Sequence, residues 1–205
     1  MRPTLDRLNG LLRRLPTWPV WLLGAVPLAI LVARTLTGDL GPDPVKALEH
    51  ELGLWGLRFL IASLAVTPLV WAGLRLLKFR RALGVTGFAY VALHFLVWLA
   101  LDMGLRWPQI AGDLVKRPYI LVGFTAFVLL VPLALTSTNA AIRRLGPVRW
   151  RRLHRLAWPA ILLGALHFVM IGKVWTGDSL AYLALTLGLL ALRLLPGRGA
   201  QGKSA

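Results

Sequence analysis

The chain has 205 residues, of which 57% are hydrophobic and only 16% are charged, and its formal net charge is +16. Soluble domains usually contain about 25% charged residues, so this composition favours a membrane protein. Lysine and arginine flank membrane helices on the cytoplasmic side, which explains the basic charge better than nucleic-acid binding does. The chain contains no cysteine, which excludes disulfides, thiolate metal sites and prosthetic groups attached through cysteine.

The N-terminal segment, residues 1–17, is basic and carries four arginines before the first apolar stretch. No small-residue cleavage motif follows that stretch, so we expect this segment to be retained rather than removed as a signal peptide. A single membrane domain is predicted for residues 18–195, and a short tail for residues 196–205.

Six apolar segments of 16 to 19 residues follow in chain order, each long enough for a short to typical membrane helix. The predicted fold is therefore an all-α, polytopic bundle of six transmembrane helices. The segments are Trp18–Ala33, Leu54–Ala72, Val85–Met103, Pro118–Thr136, Leu156–Ile171 and Ser179–Leu195.

The charges of alternate connections predict the orientation of the bundle. Seventeen of the 24 lysines and arginines lie in the N-terminal segment, in residues 73–84, in residues 137–155 and after residue 192. Seven of the eight acidic residues lie on the opposite side. By the positive-inside rule, both termini are cytoplasmic. In the outer connection between residues 35 and 53, we expect the run VKALEHELG to form a short amphipathic segment at the membrane surface.

Three of the four histidines, His94, His154 and His167, lie within or at the edge of apolar segments. An ionisable group in hydrocarbon is costly, so these side chains indicate a functional site. The third and fifth segments run in the same direction, and His94 and His167 match in depth well enough to hold one haem iron from opposite sides. Two imidazole ligands leave little room for a substrate, which suits electron transfer. For a single histidine, hydrogen bonding between helices is the alternative.

A second, inner site is expected at His154. It lies 13 residues before His167, which is roughly 20 Å of helix rise in a hydrocarbon core about 30 Å thick. Thirteen residues also rotate the helix to a face about 140° away, unless Pro159 kinks it. An interfacial role is the alternative for His154. The fourth histidine, His50, is expected to be a solvated residue of the outer connection.

Two arginines are further candidates for cofactor binding. Arg80 lies 14 residues before His94, a spacing that returns to the same helix face. A protonated guanidinium is a poor iron ligand but pairs well with a haem propionate, so we expect Arg80 to serve the inner site. Arg58 lies near the outer end of the second segment, where it either serves the outer haem or extends to the membrane surface.

Several stretches between residues 41 and 195 resemble the MsrQ (YedZ) family, which belongs with the ferric-reductase-like transmembrane proteins. They occur in the same order and at similar spacing. These stretches are LGPDPVKALEH, RRALG…YVALH ending at His94, KRPYI, LALTSTNAAIRRLG, and WRRLHRLAWPA…LHFV carrying His154 and His167.

The resemblance implies a haem-binding subunit of a bacterial inner-membrane system that repairs oxidised methionine in envelope proteins. It implies one or two b-type haems, an FMN, and a periplasmic molybdenum-containing partner, the methionine sulfoxide reductase MsrP. Electrons would come from the quinone pool or from a cytoplasmic flavin reductase. The family's haem histidines correspond to His94, His154 and His167, and its arginine in place of a fourth histidine corresponds to Arg80.

The sequence is compatible with two other classes of protein. A self-contained ferric or quinone reductase of the same fold would ordinarily need a nicotinamide or flavin domain, and the ten residues after Leu195 are too few for one. A transporter or lipid-binding bundle would carry the histidines incidentally. A b-type absorbance spectrum of membrane extracts separates this last class from the others.

Overall fold

The computed structural model describes residues 3–172 and 174–195. The predicted C-terminal tail, residues 196–205, lies outside the described residues. The structure is all-helical, with three short 3₁₀ or π turns at Leu77–Phe79, Trp98–Asp102 and His154–Leu156. The α-helices, in chain order, are α1 (Pro3–Arg14), α2 (Trp18–Leu36), α3 (Pro44–Trp71), α4 (Arg80–Val97), α5 (Trp107–Lys116), α6 (Pro118–Leu135), α7 (Asn139–Leu153), α8 (Ala157–Ile171) and α9 (Gly177–Ala191).

Five helical stretches of the described residues are long and apolar enough to cross a membrane, which identifies the chain as a membrane protein. The first four correspond to the first four predicted segments. The fifth, Asn139–Ile171, joins α7 to α8 through the 3₁₀ turn His154–Leu156, and α7 is itself kinked where Gly146 adopts φ 75° and Pro147 follows it. The sixth predicted segment forms α9, which has 15 residues and spans roughly 22 Å, less than a hydrocarbon core of about 30 Å. A bundle of six spans therefore stays a prediction.

The outer connection differs from the sequence-based expectation. The run VKALEHELG forms the first turns of the continuous 28-residue helix α3 and is not a separate surface segment. Asp43 caps this helix by accepting a hydrogen bond from the Lys46 backbone N–H at 3.1 Å, and Pro44 occupies the first helical position. Both are favoured at a helix start. As a result, residues 44–53 are part of the bundle wall.

Helices α3 and α4 form the closest pair of the bundle, and small residues allow their approach. A Cβ atom built on Gly56 would lie 2.8 Å from Val91 Cγ2 and 3.3 Å from the Gly87 carbonyl oxygen. A Cβ on Gly87 would lie 2.9 Å from Leu60 Cγ. Small residues promote such close packing of membrane helices. Helices α3, α6 and α8 share a core that includes Leu57, Leu130 and Ala165.

We expect Gly56→Ala to lower the stability of the protein. The added methyl group meets both a side chain and backbone of α4, so the two helices must separate, at a cost of about 1–3 kcal/mol. Thermal unfolding in detergent, followed by circular dichroism, measures this effect. Gly188→Ala is the matched control, since a Cβ there meets no atom within 4 Å. An equal loss of stability in both variants would contradict the packing explanation.

Candidate functional site

Two imidazoles meet inside the bundle. His94 lies on α4 and His167 on α8, and their ring centroids are 6.2 Å apart with an interplanar angle of 74°. Metal–imidazole bonds are about 2.0–2.1 Å long, so two imidazoles on opposite sides of one metal ion have centroids roughly 6.4 Å apart. The separation in this protein is close to that value. The structure therefore brings together the two histidines that the sequence paired by depth.

Each of these imidazoles is held by a backbone carbonyl of a neighbouring helix. His94 Nδ1 lies 2.8 Å from the Glu49 carbonyl oxygen, and His167 Nδ1 lies 2.7 Å from the Tyr119 carbonyl oxygen. A carbonyl oxygen only accepts, so each Nδ1 carries the hydrogen and donates it. Nε2 of each ring then keeps its lone pair and is available as a metal ligand.

Both histidines line a cavity of about 430 Å³, which is within the usual range for small-molecule and cofactor sites. Its walls are mostly apolar and come from α3, α4, α6 and α8. Among the wall residues are Val91, Phe95, Phe124, Phe127 and Leu130. Such a cavity suits a large, flat, apolar ligand.

Charged side chains surround one end of this cavity, which we call the outer end after the predicted orientation. Lys46 Nζ lies 2.7 Å from Asp102 Oδ2 and 3.2 Å from Glu49 Oε2, and Arg117 Nε lies 3.2 Å from Asp113 Oδ1. Lys46, Asp102 and Arg117 all line the cavity. The Lys46–Asp102 pair links the start of α3 to the π turn that follows α4. Both cations that line the cavity are thus paired with acidic side chains of the protein.

Arg58 lies beside a second cavity and does not line the first. The second cavity, of about 420 Å³, is bounded by α3, α8 and α9, and shares Phe168 and His50 with the first. Arg58 Nε donates to the Tyr182 hydroxyl at 2.8 Å, and its guanidinium lies 4.7 Å from the centroid of the Trp55 ring. In this position the side chain is half-buried, and its role toward the outer haem stays a prediction.

His50 is exposed, as expected, but it lies on a helix and not in a connection. It lies on α3 at the junction of the two cavities, with its ring centroid 5.8 Å from that of Phe168. The sequence placed it in a connection because the start of α3 was predicted ten residues too late.

His154 lies apart from the imidazole pair, in the 3₁₀ turn that precedes α8. Its ring stacks on Trp150 at 3.8 Å, and its Nδ1 lies 3.1 Å from the Trp150 carbonyl oxygen. Nε2 lies 3.5 Å from Ser137 Oγ, which is a weak contact. Pro159 is the third residue of α8, and Arg155, whose carbonyl a proline at this position leaves without its helical N–H partner, lies inside the 3₁₀ turn.

Basic groups gather near His154. The charge of Arg80 is close enough to act on both His154 and Arg193. Arg193 Nη2 donates to the Leu64 carbonyl oxygen at 2.6 Å, and its Nε is buried without a hydrogen-bond partner among the described residues. Sequence reasoning identified Arg80 and missed Arg193, which lies after the last apolar helix and carries no motif.

The sequence analysis also missed two glycines, each of which lies against a histidine of the pair. A Cβ on Gly53 would lie 3.0 Å from His94 Nδ1, and a Cβ on Gly123 would lie 2.7 Å from His167 Nδ1. Glycine is common in membrane helices, so neither position is conspicuous in a single sequence.

The apolar helices define an all-helical membrane protein, with two imidazoles close together inside the bundle. The model of the family described as ferric reductase like transmembrane component matches residues 52–165, from α3 to α8. This match includes His94 and His154 and ends before His167.

Three relatives are similar over most of their length, and all three are named protein-methionine-sulfoxide reductase heme-binding subunit MsrQ. The protein of Brucella anthropi is 47% identical over 87% of this chain and 82% of its own length. Those of Brucella ovis and Brucella canis are each 48% identical over 86% of this chain and 82% of their own length. The chain therefore belongs to the MsrQ family of ferric-reductase-like transmembrane proteins, as its motifs predicted.

Proposed function

We propose that this protein is a haem b-binding membrane subunit that transfers electrons to a methionine sulfoxide reductase. The observation that carries the proposal is the pair His94 and His167, which face each other across an apolar cavity at a separation suited to two ligands of one metal ion. Family membership supports the same role, since the relatives are named heme-binding subunits.

The donor set fits haem better than a bare metal ion. Among the described residues, no three His, Asp or Glu side chains form a group that could hold a metal ion. A bare transition-metal ion usually takes three or four protein ligands, whereas a porphyrin leaves only two axial positions to be filled. His94 and His167 would fill these through Nε2. When bound, the haem would supply reversible one-electron chemistry.

The surroundings of the pair favour electron transfer over substrate chemistry. Two axial histidines would occupy both open positions of the iron, so no position is left for a substrate. Apolar walls such as Phe95 and Phe127 would exclude water from a bound cofactor. Lys46 and Arg117, at the outer end, would pair with propionate groups by exchanging their present acidic partners.

An inner haem at His154 is proposed as a second site, so the protein would hold one or two haems. His154 donates from Nδ1 to a carbonyl, as His94 and His167 do, and its Nε2 lies 3.5 Å from Ser137 Oγ. Arg80 is close to it and would face a propionate or another anion. The FMN that the family resemblance implies stays a prediction, with no residue assigned to it.

The partners and placement follow from the family resemblance and the charge distribution. We propose six spans in a bacterial inner membrane, with both termini cytoplasmic and the outer end of the bundle in the periplasm. The electron acceptor would be the periplasmic reductase MsrP, and the donor would be the quinone pool or a cytoplasmic flavin reductase. The alternative, a self-contained ferric or quinone reductase, draws support from the name of the matching family model.

His94→Ala and His167→Ala should each abolish the low-spin spectrum of the outer haem, because each removes one axial ligand. Both should also stop reoxidation of the reduced protein by MsrP with methionine sulfoxide. Reduced-minus-oxidised spectra and stopped-flow absorbance measure the two effects. His50→Ala, which removes the third imidazole lining the cavity, should retain both properties. A full low-spin spectrum in either of the first two variants would refute the pairing, and reoxidation by ferric citrate but not by MsrP would favour the alternative function.

His154→Ala should lower the haem-to-protein ratio while leaving the outer low-spin spectrum intact. The reason is that His154 lies apart from the imidazole pair and belongs to a different site. Pyridine haemochrome assay on purified protein gives the ratio, and Arg155→Ala, which removes the adjacent exposed cation, is the matched control. An unchanged ratio in His154→Ala would show that no haem is bound there.

Arg58→Gln tests whether the second cavity affects the outer haem. The substitution removes one positive charge next to the shared wall of the two cavities, so the ferric haem should be favoured and the midpoint potential should fall. Redox titration of purified protein measures the potential. Arg75→Gln, in the connection that precedes α4, removes the same charge away from both cavities and is the control. Equal potentials in wild type and Arg58→Gln would mean that Arg58 serves packing alone.

A further inference from the structure

The two halves of the imidazole site repeat one local arrangement. In the first half, His94 of α4 rests on α3, with its Nδ1 on the Glu49 carbonyl oxygen and its ring against Gly53. In the second, His167 of α8 rests on α6, with its Nδ1 on the Tyr119 carbonyl oxygen and its ring against Gly123. The glycine follows the carbonyl by four residues in both halves.

This spacing has a physical reason. In an α-helix, a carbonyl and the residue four positions later lie on the same face, one turn apart. The carbonyl oxygen has two lone pairs, so it can accept the helical N–H and the imidazole N–H together. The ring can reach that oxygen only by lying across the residue one turn later. A side chain at this residue would hold the ring away.

We propose that Gly53 and Gly123 are positioning residues, each of which lets an axial histidine lie against a helix and donate to its backbone. This inference rests on the proposed function, because it concerns the two histidines as haem ligands. The glycines do not contact the iron. They fix the plane of each imidazole and keep the Nδ1–H bond that raises the basicity of the ligand.

The distances predict unequal effects in the two halves. A Cβ on Gly123 would lie 2.7 Å from both Nδ1 and Cε1 of His167, which is too close for any real contact. A Cβ on Gly53 would lie 3.0 Å from Nδ1 and 3.2 Å from Cε1 of His94, so a small movement of the ring would relieve it. Gly123→Ala should therefore disturb its histidine more than Gly53→Ala does.

The test compares Gly53→Ala, Gly123→Ala and the wild-type protein, all purified with haem. Weakening an Nδ1–H bond lowers the basicity of the axial ligand, which destabilises ferric iron, so the midpoint potential should rise in both variants and more in Gly123→Ala. The low-spin electron paramagnetic resonance signal should also change shape, because it depends on the angle between the two imidazole planes. Haem retention should fall by about 10-fold or more in Gly123→Ala.

Gly188→Ala in α9 is the matched control, since its Cβ meets nothing within 4 Å, and it should retain the wild-type potential and signal. If Gly123→Ala retains no haem, the comparison is made with exogenous imidazole in His167→Gly and in His167→Gly/Gly123→Ala. A free imidazole can shift away from the methyl group, so haem binding should be restored in both. Unrestored binding in the double variant alone would overturn the inference.

Unchanged potentials and signals in Gly53→Ala and Gly123→Ala at wild-type haem content would also overturn the inference. A shift of the same size in Gly188→Ala would do the same, since it would reflect a general effect of alanine. Failure of the proposed function looks different: the wild-type protein itself would then lack a low-spin haem spectrum.

Discussion

The hydrogen bonds that His94 and His167 donate to helix carbonyls are the interaction on which the site depends. A polar group buried in an apolar bundle is costly unless it has a partner. Here each Nδ1–H is satisfied by a backbone oxygen, at 2.8 Å and 2.7 Å. Because the backbone provides the partner, no acidic side chain is needed beside the imidazoles, and Nε2 of each ring is directed to the cavity between them.

Glycines allow close packing both between helices and between an imidazole and a helix. Between helices, Gly56 and Gly87 let α3 approach α4. At the site, Gly53 and Gly123 let an imidazole approach a helix. Dispersion forces and hydrogen bonds hold membrane helices together, since lipid is as apolar as the side chains that pack there. Close packing at these glycines therefore stabilises the bundle and also sets the positions of the two histidine rings.

The sequence predicted the apolar helices because hydrophobic residues are gathered in blocks, and it paired His94 with His167 because their depths can be counted from the ends of their segments. The start of α3 was placed too late, although Asp43 and Pro44 form a recognisable helix start. The roles of Gly53 and Gly123 could not be predicted, since each depends on a side chain from a helix that is distant in the chain. The position of Arg58 beside a second cavity depends on the packing of α9, which periodicity does not determine.

The two halves of the site come from different parts of the chain, so they are synthesised at different times. One imidazole and its supporting carbonyl come from α3 and α4, and the other set comes from α6 and α8. A nascent chain that has inserted only its first four helices therefore presents half of the site. The second imidazole and its carbonyl are in place only once α6 and α8 have joined the bundle, so a chain interrupted before α8 would lack half of the proposed site.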